Sequence, residues 1–257
     1  MANATIENET VTNDQPCPAI FVTGTDTGVG KSIVTAAIAR HLTSKGLAVG
    51  IMKPVETGVE DPTQLGADAT LLKWAAQSED ADEQIAPFRY PQPLAPCQAA
   101  ELAGNLVDVD TIVERFNTLR QGKDIVLIEG AGGLMVPIRG GFLMADLAAR
   151  LETPLLLVTH PRLGTLNHTL LTSFTARAMQ LDIAGFIINN MPQQPGLAEE
   201  AAPHLLASLA SCDILGVLPE TYGNDQEKVT ALAAQFESLP TYQWLLMKLG
   251  LSKHPAL

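Results

Sequence analysis

Residues 24–32 read GTDTGVGKS, a lysine and a hydroxyl residue set behind a run of glycines. That combination suits a phosphate cradle. Backbone N–H groups and a helix dipole face the anionic oxygens, Lys31 neutralises charge, and the Ser32 hydroxyl ligates Mg2+. The spacing is unusual. The common loop is G-x-x-x-x-G-K-[ST], and Gly30, Lys31 and Ser32 supply its ending, but Thr25 stands where the first glycine belongs. Gly24 lies one residue too early, so the stretch reads G-x-x-x-x-x-G-K-S.

Other polar residues sit where strands should end. Glu129 follows four apolar residues in DIVLIEGAGG, the place where nucleotide-hydrolysing folds hold a Mg2+-binding acid. Lys53 in IMKPVETG could meet phosphate or developing negative charge, although on its own a strand-end lysine is more often just solvated. Asp68 in GADAT opens an expected helix, where aspartate is a common N-cap. Asn189 and Asn190 close FIINN and could be turn residues or read an adenine edge. His160 and His168 flank LGTLN, assemble into no Ser/His/Asp arrangement, and read as ordinary loop and helix residues.

These positions need elements to hold them. Short apolar runs at 19–24, 47–54, 124–133, 154–160, 183–190 and 214–219 predict strands, and helical spacing is expected over 31–46, 65–76, 108–121 and 165–180. Alternation of this kind implies a three-layer α/β fold, a mainly parallel sheet covered by helices on both faces. In such folds ligands bind outside the carboxyl ends of strands. The Pro-rich stretch APFRYPQPLAPC (86–97) opposes a continuous helix and is expected to be a long connection over the sheet edge.

Composition narrows the function classes. A net charge of -12 argues against a protein gripping nucleic acid or an anionic membrane through a general basic surface. No apolar run approaches the ~20 residues that span a bilayer. Cys17, Cys97 and Cys212 are far apart and form no metal-binding spacing, as expected of free thiols in a reducing cytoplasm. Residues 1–18 lack a basic start and an apolar core, so the expectation is a solvated, flexible tail rather than a secretory signal, with one domain over 19–257.

Taken in order, TGTDTGVGKS, MKPVETG, LIEGAGGLMVPI and LGTLNH resemble the dethiobiotin synthetases, the ATP-dependent carboxylases of biotin synthesis. The likeness runs from about residue 19 to 220 and implies a P-loop NTPase-like fold. It implies a triphosphate loop at Thr27, Gly28, Val29, Gly30, Lys31 and Ser32. It implies a Mg2+ shell of Ser32, Asp68 and Glu129, with Glu129 also in the nucleotide site. Lys31 and Lys53 would be the catalytic charge stabilisers, with Thr57 beside the diamine substrate. Asn189 would read adenine, the backbone near Pro219 closing that pocket. Gly164, Thr165, Leu166 and Asn167 resemble the start of a helix whose N–H groups receive the substrate carboxylate, supplied in this family by the partner of a homodimer. The implied substrates are 7,8-diaminononanoate, CO2 and MgATP. Cys97 departs from the family's frequent histidine after Ala-Pro, and Ser32 replaces its more frequent threonine while keeping the hydroxyl.

Two other classes share parts of this pattern. Partitioning and cell-division-positioning ATPases use a related loop, but usually with a second lysine early in it, which GTDTG (24–28) lacks. Their membrane or DNA contacts also need a basic patch. TYQWLLMKLGLSKH (241–254), with Lys248 and Lys253, better suits a helix packed on the core or a partner. Cobyrinic acid-type amide ligases normally append a glutamine-hydrolysing domain with a nucleophilic cysteine, and Cys212 sits in no such setting.

Overall fold

The computed structural model describes residues 17–257, so most of the expected tail lies outside the described residues. Cys17 and Pro18, the described end of that stretch, are already tied down. The Cys17 carbonyl accepts from Arg120, and the Pro18 carbonyl accepts from the Val126 N–H at 2.9 Å.

Six parallel strands form the central sheet in the order β10-β9-β8-β1-β5-β2. They are β1 (Ala19–Gly24), β2 (Val49–Met52), β5 (Ile125–Gly133), β8 (Leu155–Thr159), β9 (Ile183–Met191) and β10 (Ile214–Pro219). All six coincide with predicted apolar runs. Strands sandwiched by helices bury both faces, which is why their sequences are continuously apolar rather than alternating. Along β1, Ile20 and Val22 point into one core while Phe21 points into the other.

Helix α1 (Lys31–Ser44), α2 (Ala67–Ala76), α9 (Asp225–Ala233) and α10 (Tyr242–Lys248) cover the first face. Leu245 and Leu246 of α10 and Leu249 just after it are buried there, so the terminal helix packs on the core as expected. The second face carries α4 (Pro96–Ala103), α5 (Val109–Leu119), α6 (Met144–Arg150), α7 (Thr165–Ala178) and α8 (Leu197–Leu209).

The Pro-rich connection holds more structure than its prolines suggest. After the short α3 (Asp82–Ile85), Phe88–Tyr90 forms β4, which pairs in parallel with β3 (Val55–Thr57). Pro96 then opens α4 at its first turn, where a missing N–H costs nothing. The prolines thus bracket a strand and start a helix. A small antiparallel pair, β6 (Pro137–Arg139) with β7 (Phe142–Leu143), completes the elements.

The sheet order positions the site. Strand β1 lies between β8 and β5, and the chain leaves it towards both edges, so a crevice opens beyond its carboxyl end. Inserting β5 between β1 and β2 sets the end of β5 directly between the loop after β1 and the end of β2.

Candidate active site

The loop between β1 and α1 is shaped for close approach to a ligand. Gly30 has φ 89° and serves as N-cap of α1. A Cβ at Gly30 would stand 2.2 Å from Asn189 Nδ2, so only glycine fits. That Asn189 amide in turn donates to the Val29 carbonyl at 3.1 Å. The end of β9 therefore braces the loop from behind.

Thr27, Gly28, Gly30, Lys31 and Ser32 line one cleft of about 380 Å3, facing Lys53, Thr57 and Asp68 across it. Glu129 lies fully buried beneath them in the middle of β5, one residue past the partner of Met52 at the end of β2. Lys53 Nζ donates to Glu129 Oε1 at 2.5 Å and to Asp68 Oδ2 at 2.7 Å, and Ser32 Oγ donates to the same Glu129 Oε1 at 2.8 Å. Residues from α1, the turn just after β2, α2 and β5 thus converge on one cluster.

Its electrostatics are asymmetric. Burial opposes charge on Lys53, but Glu129 and Asp68 outweigh it and hold the amine well above its ordinary value. Burial likewise works against the Asp68 carboxylate, while Lys53 and the Ser32 hydroxyl pull its pKa below the usual range. Lys31 behaves oppositely: burial pushes its amine down, assisted by Lys53 and only partly countered by Glu129.

The oxygen donors suit a hard divalent cation. Glu129 Oε2 is buried with no hydrogen-bond partner, an outcome costly for a carboxylate oxygen unless something else satisfies it. Together with Ser32 Oγ and the half-exposed Asp68 carboxylate, it supplies the all-oxygen chemistry that Mg2+ takes.

Glu56 was missed by sequence reasoning. It is buried on β3, where its Oε1 accepts from the Asp68 N–H at 2.8 Å and its Oε2 from the Ala69 N–H at 3.3 Å. Glu56 thus caps α2 from outside the helix. The N-cap position itself is Gly66, whose missing side chain leaves room: a Cβ there would lie 2.4 Å from the Glu56 carboxyl. Asp68 is therefore the second residue of α2, not its cap, and its carboxylate is free to face the cleft. Burial pushes the Glu56 carboxyl above the usual range, against the pull of Lys53. An acid in KPVETG twelve residues before Asp68 carries no local signal for this role.

Asn189 is buried, and its Oδ1 has no partner, an acceptor awaiting a donor. Pro219 lies alongside, paired with Met191 at the ends of β10 and β9. Gly164, Thr165, Leu166 and Asn167 are not brought into the phosphate cleft. They start α7, with Gly164 and Asn167 exposed and the Thr165 side chain turned into the protein. Among the described residues, no helix is long and apolar enough to cross a membrane.

A family profile described as an AAA domain matches residues 18–228. The chain is 39% identical to an ATP-dependent dethiobiotin synthetase of Bacillus velezensis, over 79% of this chain and 86% of that protein. It is 44% identical to the Frankia casuarinae protein of the same name, over 80% of this chain and 85% of that one. Solved structures share the fold at much lower identity. The MinC:MinD cell division complex of Aquifex aeolicus superposes with TM-score 0.53 at 15% identity, covering 91% of this chain and 94% of that one. A ParA family ATPase from Chlorobium tepidum gives TM-score 0.53 at 14% identity, covering 93% and 99%.

Proposed function

The chain belongs to the dethiobiotin synthetase family, and on that footing we propose that it joins 7,8-diaminononanoate, CO2 and ATP into dethiobiotin, ADP and phosphate. One observation carries the reading: Lys31, Ser32, Lys53, Asp68 and the buried Glu129 meet around one cleft beside a glycine loop.

One amine of the diamine captures CO2 as a carbamate and releases a proton. A carbamate oxygen takes the γ-phosphoryl group of ATP, freeing ADP and leaving a mixed anhydride. The second amine attacks its carbonyl carbon, closing the ureido ring and expelling phosphate.

Both the carbamate and the triphosphate are anionic, so their approach needs fixed cations. Lys31 meets phosphate at the loop, and Lys53 offers positive charge from the opposite wall. Each contact is worth ~3–4 kcal/mol in the transition state, by comparison with loss of an oxyanion-hole donor. Loop amides hold the phosphates, and Thr57 positions the diamine. Positioning supplies much of the remaining acceleration, because phosphoryl transfer asks little covalent chemistry of the protein. Ser32, Asp68 and Glu129 would hold Mg2+, which when bound neutralises charge on the phosphate oxygens. The free Asn189 Oδ1 suits the exocyclic amine of adenine, with Pro219 as neighbouring wall.

The start of α7 would receive the substrate carboxylate in a second copy of the chain. Supporting this, Leu171 and Phe174 on α7 are 57% and 67% exposed, an apolar side that a homodimer would cover. Phe174→Asp is expected to give a monomer by light scattering.

The deciding assay measures phosphate release from ATP and bicarbonate with and without 7,8-diaminononanoate. Diamine-dependent release with formation of dethiobiotin is expected. Release that ignores the diamine, without dethiobiotin, would sink the reading.

A further inference from the structure

Thr25, the residue standing where the common loop has its first glycine, has a defined tertiary partner. Its Oγ1 donates to Thr159 Oγ1 at 3.0 Å, and its N–H donates to the Val158 carbonyl at 3.0 Å. Thr159 is fully buried at the end of β8. The same Thr159 oxygen lies 2.8 Å from Thr165 Oγ1 and 3.0 Å from Thr169 Oγ1, both buried.

A hydroxyl has one proton to give and two lone pairs. With Thr25 donating into it, Thr159 gives its proton to one helix threonine and accepts from the other. Its capacity is then filled by three neighbours. Thr165 and Thr169 are one turn apart on the same side of α7, so one buried atom ties the start of the phosphate loop to the first turn of that helix. Alongside, the exposed His168 Nδ1 lies 3.7 Å from Asp26 Oδ2, beyond hydrogen-bond distance. Along this turn the Thr165 N–H donates to the Arg162 carbonyl at 3.0 Å and the His168 N–H to the Gly164 carbonyl at 3.1 Å, whereas the Leu166 and Asn167 amides have no intrahelical acceptor. The threonine hub adds a hold from the side to a turn whose backbone bonds leave those two amides open.

We propose that Thr159 is a positioning residue that makes the phosphate loop and the first turn of α7 one mechanical unit. A triphosphate seated on the loop steadies that turn, and by linkage a loosened turn weakens the hold on the triphosphate. The proposal rests on the loop's binding ATP and goes beyond it, because it assigns a role to residues outside the cleft.

Thr159→Val keeps the side chain's shape and removes the hub, whereas Thr159→Ser keeps the hydroxyl. Binding of MgAMP-PNP is measured by calorimetry, and hydrogen exchange over 162–170 is followed with and without the nucleotide. In the wild type and Thr159→Ser, AMP-PNP is expected to slow exchange over 162–170. In Thr159→Val, affinity is expected to fall about tenfold, a coupling within the usual range for linked sites. The nucleotide should still protect the loop there but no longer slow exchange in α7.

Thr25→Val cuts the hub from the loop side and should uncouple the two in the same way, which keeps the test available if Thr159→Val folds poorly. Leu245→Ala, a core change on the far face, controls for lost stability and should bind AMP-PNP normally. The proposal falls if Thr159→Val or Thr25→Val keeps wild-type affinity and wild-type protection over 162–170. It falls equally if Leu245→Ala loses as much affinity as Thr159→Val. Failure of the wild type to bind AMP-PNP at all would overturn the ATP-dependent reading itself, and this proposal with it.

Discussion

The two walls of the cleft treat their lysines in opposite ways. On the β2–β5 wall, Lys53 lies buried between Asp68 and Glu129, and both carboxylates hold its proton in place. On the loop wall, Lys31 has no carboxylate within salt-bridge distance among the described residues; its nearest acceptor is the Asp26 carbonyl at 3.4 Å. Burial without a partner makes that charge costly. One lysine is therefore part of the protein's own architecture, and the other is an open demand that an anionic ligand satisfies.

Removing Lys53 should have the largest effect. Lys53→Gln leaves Glu129 buried without its cation, which is expected to cost about 3–5 kcal/mol of stability and lower turnover on the order of 10²–10³-fold. The double variant Lys53→Gln/Glu129→Gln should recover much of the denaturation midpoint but none of the activity. Recovery of both would remove Lys53 from the chemistry.

Lys31→Gln should lose turnover on a similar scale with no loss of stability, because no ion pair breaks. A midpoint falling as far as that of Lys53→Gln would erase the contrast between the walls.

A smaller effect is expected for Glu56→Ala, which strips α2 of two capping acceptors. About 1–2 kcal/mol should go, the range of a lost N-cap. Asp68 loses its fixed position at the same time, so the Mg2+ concentration needed for half-maximal rate should rise several-fold. An unchanged Mg2+ requirement would show that Asp68 is held by Lys53 alone.

The smallest effect is in pH. The folded state lowers the Lys31 pKa below its unfolded value, so the charged amine costs stability at neutral pH. That cost is relieved as pH rises through the lowered value towards the unfolded 10.5. The midpoint of Lys31→Gln should therefore match or slightly exceed wild type at pH 7, with the gap closing as pH approaches 10. Lys53 has the opposite sign: its raised pKa gives stability that is full below 10.5 and persists until the pH passes the folded value. The deficit of Lys53→Gln should accordingly stay open over the same range.

Much of this was legible before the fold. The runs AIFVTG and DIVLIEGAGG became β1 and β5 because an apolar stretch ending at glycines has few alternatives to a buried strand. Lys31, Ser32 and Glu129 could be picked out because each sits at a fixed offset from such an ending. The short pairing of β3 with β4 was not legible, since three residues carry no period and the prolines around 91–96 point to a loop. Nor was Glu56, whose partners belong to a helix beginning eleven residues later.

By itself, the sequence determined the layered architecture, the glycine loop and the kind of chemistry, because periodicity and turn residues act on near neighbours. Only the tertiary structure decided which charges meet. Glu129 and Lys53 are 76 residues apart, and they touch because β5 enters the sheet between β1 and β2. Thr25 finds Thr159 across 134 residues because β8 lies on the other side of β1. The order of strands is set by which faces can all be buried at once, a property of the whole chain that no local stretch encodes.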